Sequence, residues 1–273
     1  VFLGTHAGGS VAAGQTDTDG TIAIGYFAAN QLTSAIKTVA IGYTAMQNQT
    51  TGNRNTVIGY GAMYTADGGE DFNVIIGSEA GYSINNDASH DNVLIGMNAC
   101  QGGSGTFLGN IGIGSRVMNG VTNNSQTGTV AIGSDALYTL SSGEGNLAIG
   151  YKALYVEDDG DYTTGIGYEA FTDQTGTSGQ VGNTGVGFKV GHELTSGMEN
   201  TYLGMFAGRY NKTGNQNTYL GFLAGRGNSN QSNTGNTAVG NYAMASITTG
   251  TENVAVGSGS LRDISDGIEN TSV

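Results

Sequence analysis

Along this chain, apolar and polar residues alternate over short stretches that end on glycine, and the same stretch returns fifteen times. Each copy is marked by an aliphatic residue followed by an anchor glycine, at Gly4, Gly25, Gly42, Gly59, Gly77, Gly96, Gly114, Gly133, Gly150, Gly167, Gly187, Gly204, Gly221, Gly240 and Gly257. Most intervals are 17 to 19 residues, with 20 and 21 once each. The residue before the anchor is Ile, Leu or Val in every copy, as at Ile24, Ile41, Ile58, Ile76, Ile95, Ile132, Ile149, Ile166, Leu203 and Leu220. Three before the anchor stands Val, Ile, Leu or Thr, whereas the residue between them varies from Ala23 to Val57, Gly165 and Tyr219. Period-two alternation with β-branched residues predicts a strand with one face inward, and the uniform aliphatic positions are read as that buried face.

Further columns flank this strand. Four before the anchor is usually Asn (Asn55, Asn73, Asn92, Asn146, Asn200, Asn217, Asn253), which predicts a hydrogen-bonded amide ladder if the copies stack. Ala stands three after the anchor in twelve of the fifteen copies, predicting a second, shorter inward stretch. Met, Leu or Gly commonly follows it, and Tyr, Phe, Met or Ser stands directly after the anchor. Glycines at the anchor and seven residues before it suit a left-handed turn or close backbone approach. Length variation is confined to stretches such as Gly102-Gly-Ser-Gly105 and 227–234, which places the insertions on one outer face.

No copy holds a 3.6-residue apolar stripe, and Gly at this density would cost a helix about 1 kcal/mol per site. The fold class predicted is therefore all-β: a parallel β-solenoid or β-roll of about fifteen coils, one per repeat. At one strand spacing per coil such a stack is roughly 70 Å long. Residues 1–273 read as one repeat region that starts and stops inside a copy, at Val1-Phe-Leu-Gly4 and Asn270-Thr-Ser-Val273, as a piece of something longer would. Two aliphatics and one Ala per coil make a thin core. The Tyr column after the anchor and the Met/Leu column are left for self-association, so a homo-oligomer is expected.

Composition narrows the picture. Gly supplies 49 residues and Pro none, which excludes collagen, and the recurring aliphatics exclude disorder. A net charge of −13 with nine Lys plus Arg argues against nucleic acid or an anionic membrane as partner. No stretch approaches a membrane span, and the lone Cys100 is read as packing.

The units Asn55-Thr-Val-Ile-Gly59, Asn146-Leu-Ala-Ile-Gly150 and Asn253-Val-Ala-Val-Gly257 resemble the repeat of the YadA-like head of trimeric autotransporter adhesins. The longer units Asn200-Thr-Tyr-Leu-Gly-Met-Phe-Ala-Gly208 and Asn217-Thr-Tyr-Leu-Gly-Phe-Leu-Ala-Gly225 are similar to repeats of phage tail-fibre proteins. The resemblance runs along nearly the whole chain, although these repeats are longer than those of the adhesin heads. It implies a left-handed parallel β-roll assembled as a parallel homotrimer, extracellular on a bacterial surface or a virion, with a cell-surface glycan or protein as receptor.

Candidate chemistry is sparse. The acids cluster at Asp17/Asp19, at Asp67/Glu70/Asp71 and at Glu157, Asp158, Asp159 and Asp161. The last has the oxygen density of a calcium loop but neither EF-hand spacing nor the Gly-Gly-x-Gly-x-Asp repeat, so a solvated loop is favoured over Ca2+. No carboxylate pair is placed for glycoside cleavage, and His6, His90 and His192 fall at different phases of the repeat with no recurring partner. No enzyme is expected and no cofactor is called for. The leading reading is a structural fibre segment. Ice binding is the alternative, disfavoured because Thr alternates with Val and Asn instead of forming an unbroken outward rank, and a polysaccharide depolymerase is weaker still.

Overall fold

Glycine at the anchor is dictated twice over. Its φ lies between 126° and 148° throughout, a region closed to L side chains. A Cβ there would also strike the next coil: at Gly187 it would sit 2.5 Å from the carbonyl oxygen of Gly204, and at Gly114 2.7 Å from that of Gly133. Each anchor therefore ends its strand in a turn that lets the following coil lie directly on top.

The computed structural model describes residues 1–10, 19–120, 125–176, 179–228 and 231–273. Asp17 of the first acidic cluster, and residues 229 and 230 of the second insertion, lie outside them. Among the described residues the chain is all-β without a helix, a parallel β-solenoid of about fifteen turns. Contacts divide it into two units, Val1–Asp135 with Thr139–Glu144, and Ala136–Tyr138 with Gly145–Val273.

In the first unit the three-residue strands before successive anchors (Ile22–Ile24, Val39–Ile41, Thr56–Ile58, Val74–Ile76, Val93–Ile95, Ile111–Ile113 and Val130–Ile132) pair in parallel without slip. Ile24 meets Ile41, and Ile41 meets Ile58. The second unit repeats the scheme through Leu147–Ile149, Thr164–Ile166, Thr184–Val186, Thr201–Leu203, Thr218–Leu220, Thr237–Val239 and Val254–Val256. Some residues of the longer coils also pair: Phe107–Leu108, Gln126–Thr127 and Gly143–Glu144 build a small parallel sheet in the first unit, and Gly160–Asp161 pairs with Gly179–Gln180 in the second.

The face of the strand that turns inward is the opposite of the one the pattern predicts. The variable residue two before the anchor is fully buried, as at Ala23, Ala40, Val57, Ala148, Tyr202 and Tyr219, whereas Ile24, Ile41, Ile58, Ile76, Ile95, Ile132, Ile149, Ile166 and Leu220 are half-buried on the outside and Leu203 is exposed. The reason is the shared lumen volume. A coil of this length has room for one side chain from the strand, from Ala40 to Tyr202, met by the Ala three after the anchor (Ala28, Ala45, Ala62, Ala153) and by the residue that follows it, the two trading volume. That following residue, Met46, Met63 or Leu154, is buried within the coil, so the Met/Leu column is core and is not available for self-association.

The two inner positions share one volume. Ala40 goes with Met46, and Ala238 with Met244, all buried. Where the strand contributes Tyr202, the later position is Gly208, and a Cβ on Gly208 would lie 2.6 Å from the ring's Cζ. Tyr219 faces Gly225 in the same way. Gly185 and Gly191 leave their coil empty at both places, and Phe171 of the neighbouring coil occupies the space. A further buried column seven after the anchor (Leu32, Gln49, Ile84, Glu157, Gln174, Leu194) closes the third side of the core.

The amide ladder forms as predicted. Asn217 Nδ2 donates to Asn200 Oδ1 at 3.0 Å and to the Asn233 carbonyl at 2.7 Å, while its own Oδ1 accepts from the Asn236 backbone N–H at 3.0 Å. The same links join Asn55, Asn73, Asn92 and Asn110 in the first unit, and Asn146 accepts from the Thr163 N–H at 2.9 Å in the second. Thr21, Thr38, Thr129 and Thr163 take the place of Asn in four coils.

Candidate interaction face

With the variable residue inside, each coil presents two aliphatic or β-branched side chains outward from its strand. Stacked in register they form two apolar columns on one sheet face. These columns are open at several coils: Leu3 is exposed by 63%, Leu203 by 49% and Val256 by 38%. Beside them runs the residue after the anchor. Tyr26, Tyr43, Tyr60, Tyr151, Tyr168, Phe188 and Phe222 are all exposed, as the sequence predicts for this column. Tyr26, Tyr43 and Tyr60 stack at 5.1 and 5.4 Å between centroids, and Tyr151, Tyr168 and Phe188 at 5.2 and 5.4 Å. The position after the anchor is aromatic or Met in nine of the fifteen copies and Ser, Thr or Asn in the other six, so the aromatic column flanks the two strand columns in part. A contiguous outward face of this kind marks an interaction surface.

In the second unit the column three before the anchor changes character. Thr164, Thr184, Thr201, Thr218 and Thr237 are paired in direct register on consecutive coils and point outward. This unbroken rank removes the ground on which the sequence disfavours ice binding.

A second aromatic column stands five after the anchor, where Tyr64 stacks on Tyr82 at 5.1 Å and Tyr138 on Tyr155 at 5.2 Å. Composition hides it, because Asn30, Gln47 and Arg226 occupy the same position in other coils.

The acidic groups resolve differently from one another. Glu157 points into the coil, where its Oε1 accepts from the Gly160 N–H at 2.8 Å and its Oε2 from Gln174 Nε2 at 2.5 Å. Burial raises its pKa, and neighbouring Asp158 and Asp159 push the same way against those two hydrogen bonds. Asp158 and Asp159 bring carboxylate oxygens within 4.8 Å of that of Glu157, while Asp161 falls outside the group and pairs with Gln180 in the added strand. Glu70 is also buried, its Oε2 accepting from Gln49 Nε2 at 2.9 Å, and burial raises its pKa too. It meets Asp67 and Asp87 at the surface, not Asp71, whose Oδ1 accepts from the Asn53 N–H at 2.5 Å. Both glutamates are structural members of the core that sequence reading assigned to solvated loops.

Two of the three histidines contact carboxylates, His90 Nδ1 with Asp91 Oδ2 at 2.8 Å on the surface and the half-buried His192 Nε2 with Glu169 Oε2 at 3.3 Å, while the His6 ring lies 4.7 Å from that of Phe27. Cys100 fills an inner position, and burial pushes its thiol up to about 12, which makes it inert as a nucleophile. Among the described residues no helix is long and apolar enough to cross a membrane. No protein-family model matches the chain, and no curated protein is significantly similar to it, so the outward apolar face is the feature on which a functional reading rests.

Proposed function

We propose that this chain is a stretch of a homotrimeric extracellular fibre, of the bacterial adhesin or phage tail-fibre kind, and that it supports attachment to a cell surface. The observation that carries this is the outward sheet face: two columns of aliphatic and β-branched side chains, repeated coil after coil. Burying such columns against copies of themselves keeps every coil in equivalent surroundings, which identical parallel chains around one axis accomplish. The number three, the left-handed coil sense and the extracellular setting come from the resemblance of the repeats to adhesin heads and tail fibres. The reading assigns a structural role, because the feature that recurs from coil to coil is an outward face for packing against another chain.

Solution mass tests it directly. Sedimentation or light scattering is expected to give three times the chain mass, and replacing Ile58 and Ile76 by Lys should shift the protein toward monomer while leaving the β circular dichroism signal intact. A stable monomer at micromolar concentration overturns the trimer.

A second reading has one specific observation in its favour. The five-coil threonine rank on a flat parallel sheet matches the regular hydroxyl spacing an ice surface demands, about 4.8 Å. Thermal hysteresis in dilute protein, lost in Thr201→Leu, is its signature, and none is expected if the same face is covered by partner chains.

A further inference from the structure

Between the two aromatic columns of the first unit lies a groove of about 340 Å³, walled on one side by Tyr26, Tyr43 and Tyr60 and on the other by Tyr64 and Tyr82. It exists because of the residue two after the anchor, which sits between the columns. That residue is bulky at Lys152, Lys189 and Phe206; here Phe27 and Glu79 stand at the two ends, and between them it is Thr44 and then Gly61, so the floor drops. Gln47 and Glu79 supply polar groups to the lining.

Two ring faces are left without a stacked ring. The column of Tyr60 continues to Ser78 in the next coil, and the column of Tyr64 is preceded by Gln47, so neither tyrosine has an aromatic neighbour on that side. Tyr60 is the most exposed of its column, at 55%. We infer that this groove binds a neutral oligosaccharide. A sugar ring has an apolar C–H face suited to an uncovered tyrosine ring and an edge of hydroxyls that both donate and accept. The Gln47 amide can do both as well, and the Glu79 carboxylate accepts. A purely apolar ligand would bury these groups without partners, which disfavours it, and an anionic one would meet Glu79 on a chain of net charge −13. The volume lies within the range of about 300–1,000 Å³ typical of small-molecule sites and holds a short oligomer.

The inference rests on the attachment reading for its source of glycan, but every lining residue comes from a single chain. The full chain should be screened against neutral hexose oligosaccharides and the hits titrated by calorimetry, with solution mass measured on the same samples. Tyr60→Ala and Tyr64→Ala are expected to weaken binding tenfold or more. Gly61→Lys is expected to abolish it, because it places in the floor the residue that Lys152 and Lys189 supply in other coils. A Cβ at Gly61 makes only ordinary contacts, 3.5 Å to Tyr82 and 3.7 Å to Glu79, so this variant should fold. Absence of any neutral glycan ligand, or binding indifferent to Gly61→Lys, overturns the assignment. So does a change of solution mass in Tyr60→Ala, which would make this column a chain–chain contact. A monomeric protein that still binds sugar through Tyr60 would refute the trimer and leave the groove standing.

Discussion

The shared inner volume of each coil makes a sharp prediction for Tyr202 and Gly208. Tyr202 is fully buried, stacks on Tyr219 at 5.1 Å with the rings 6° apart, and accepts a 2.8 Å hydrogen bond from Asn211 Nδ2. Tyr202→Ala removes all of this and leaves a cavity, which by analogy with other buried aromatics costs about 3–5 kcal/mol. Gly208→Met drives a side chain into the ring, since a Cβ alone would come within 2.6 Å of Cζ and 2.7 Å of Cδ2, and overpacking costs about 1–3 kcal/mol. The backbone at Gly208 poses no obstacle, because its φ of 60° is close to the 51° that Met46 already adopts. Added independently, the two changes would destabilise by about 6 kcal/mol. Together they recreate the buried Ala238…Met244 pair, so the double variant should lose only about 2–3 kcal/mol, chiefly the tyrosine stack and the partner of Asn211, a coupling of about 3 kcal/mol. Urea unfolding followed by circular dichroism, with slopes compared to confirm the same transition, measures all four corners of the cycle. Additive losses would refute the idea that the two positions fill a common space.

Three further outcomes follow from the same geometry. Asn217→Ala should cost about 2–4 kcal/mol, because it leaves the Asn236 N–H buried without its partner and the Asn233 carbonyl with only a 3.4 Å bond from Asn211 Nδ2, and thermal unfolding would register it. Gly187→Ala should prevent folding of its coil, with a Cβ 2.5 Å from the Gly204 oxygen, while Gly109→Ala, whose Cβ meets nothing within 4 Å, should cost only about 1 kcal/mol for its φ of 62°, a contrast that amide exchange resolves coil by coil. Glu157 has a folded pKa above its unfolded one, so its native form holds the proton more tightly; its contribution to stability is full below the ordinary carboxylate pKa of 4.5 and is lost as pH rises through the folded value. Glu157→Gln should therefore gain on the parent protein between acidic and neutral pH, and an unchanged difference across that range in urea midpoints would contradict the buried placement.

Much of this fold is legible in the sequence. The anchor glycine, the Asn ladder, the inward Ala and the exposed Tyr column all follow from residue type at a fixed phase. The face of the strand does not, and Ile41 beside Ala40 shows why. Burial ordinarily selects the larger and more uniform apolar residue, but here the buried strand position shares one volume with the residue four after the anchor and varies in size with it, from Ala40 to Tyr202, so uniformity marks the outside. A usable signal was present: Tyr202 with Gly208, Tyr219 with Gly225 and Ala40 with Met46 trade size against size, which only residues sharing one cavity need to do. Glu70 and Glu157 were hidden for a different reason. Sequence gives a carboxylate in a glycine-rich loop, and only the fold brings Gln49 and Gln174 from a neighbouring coil to receive it.

The amide ladder also gives the stack a direction. Every Asn oxygen in it accepts from the following coil, and where Asn follows Asn the side-chain nitrogen also donates back to the preceding one, so a coil laid down in reverse would set donor against donor. One laid down a single residue out of step would bring Thr218 or Gln216 to the level of Asn217. The ladder thus works as a reading frame: it resets the chain once per turn, and loops of differing length can be spliced between turns without the error being carried forward.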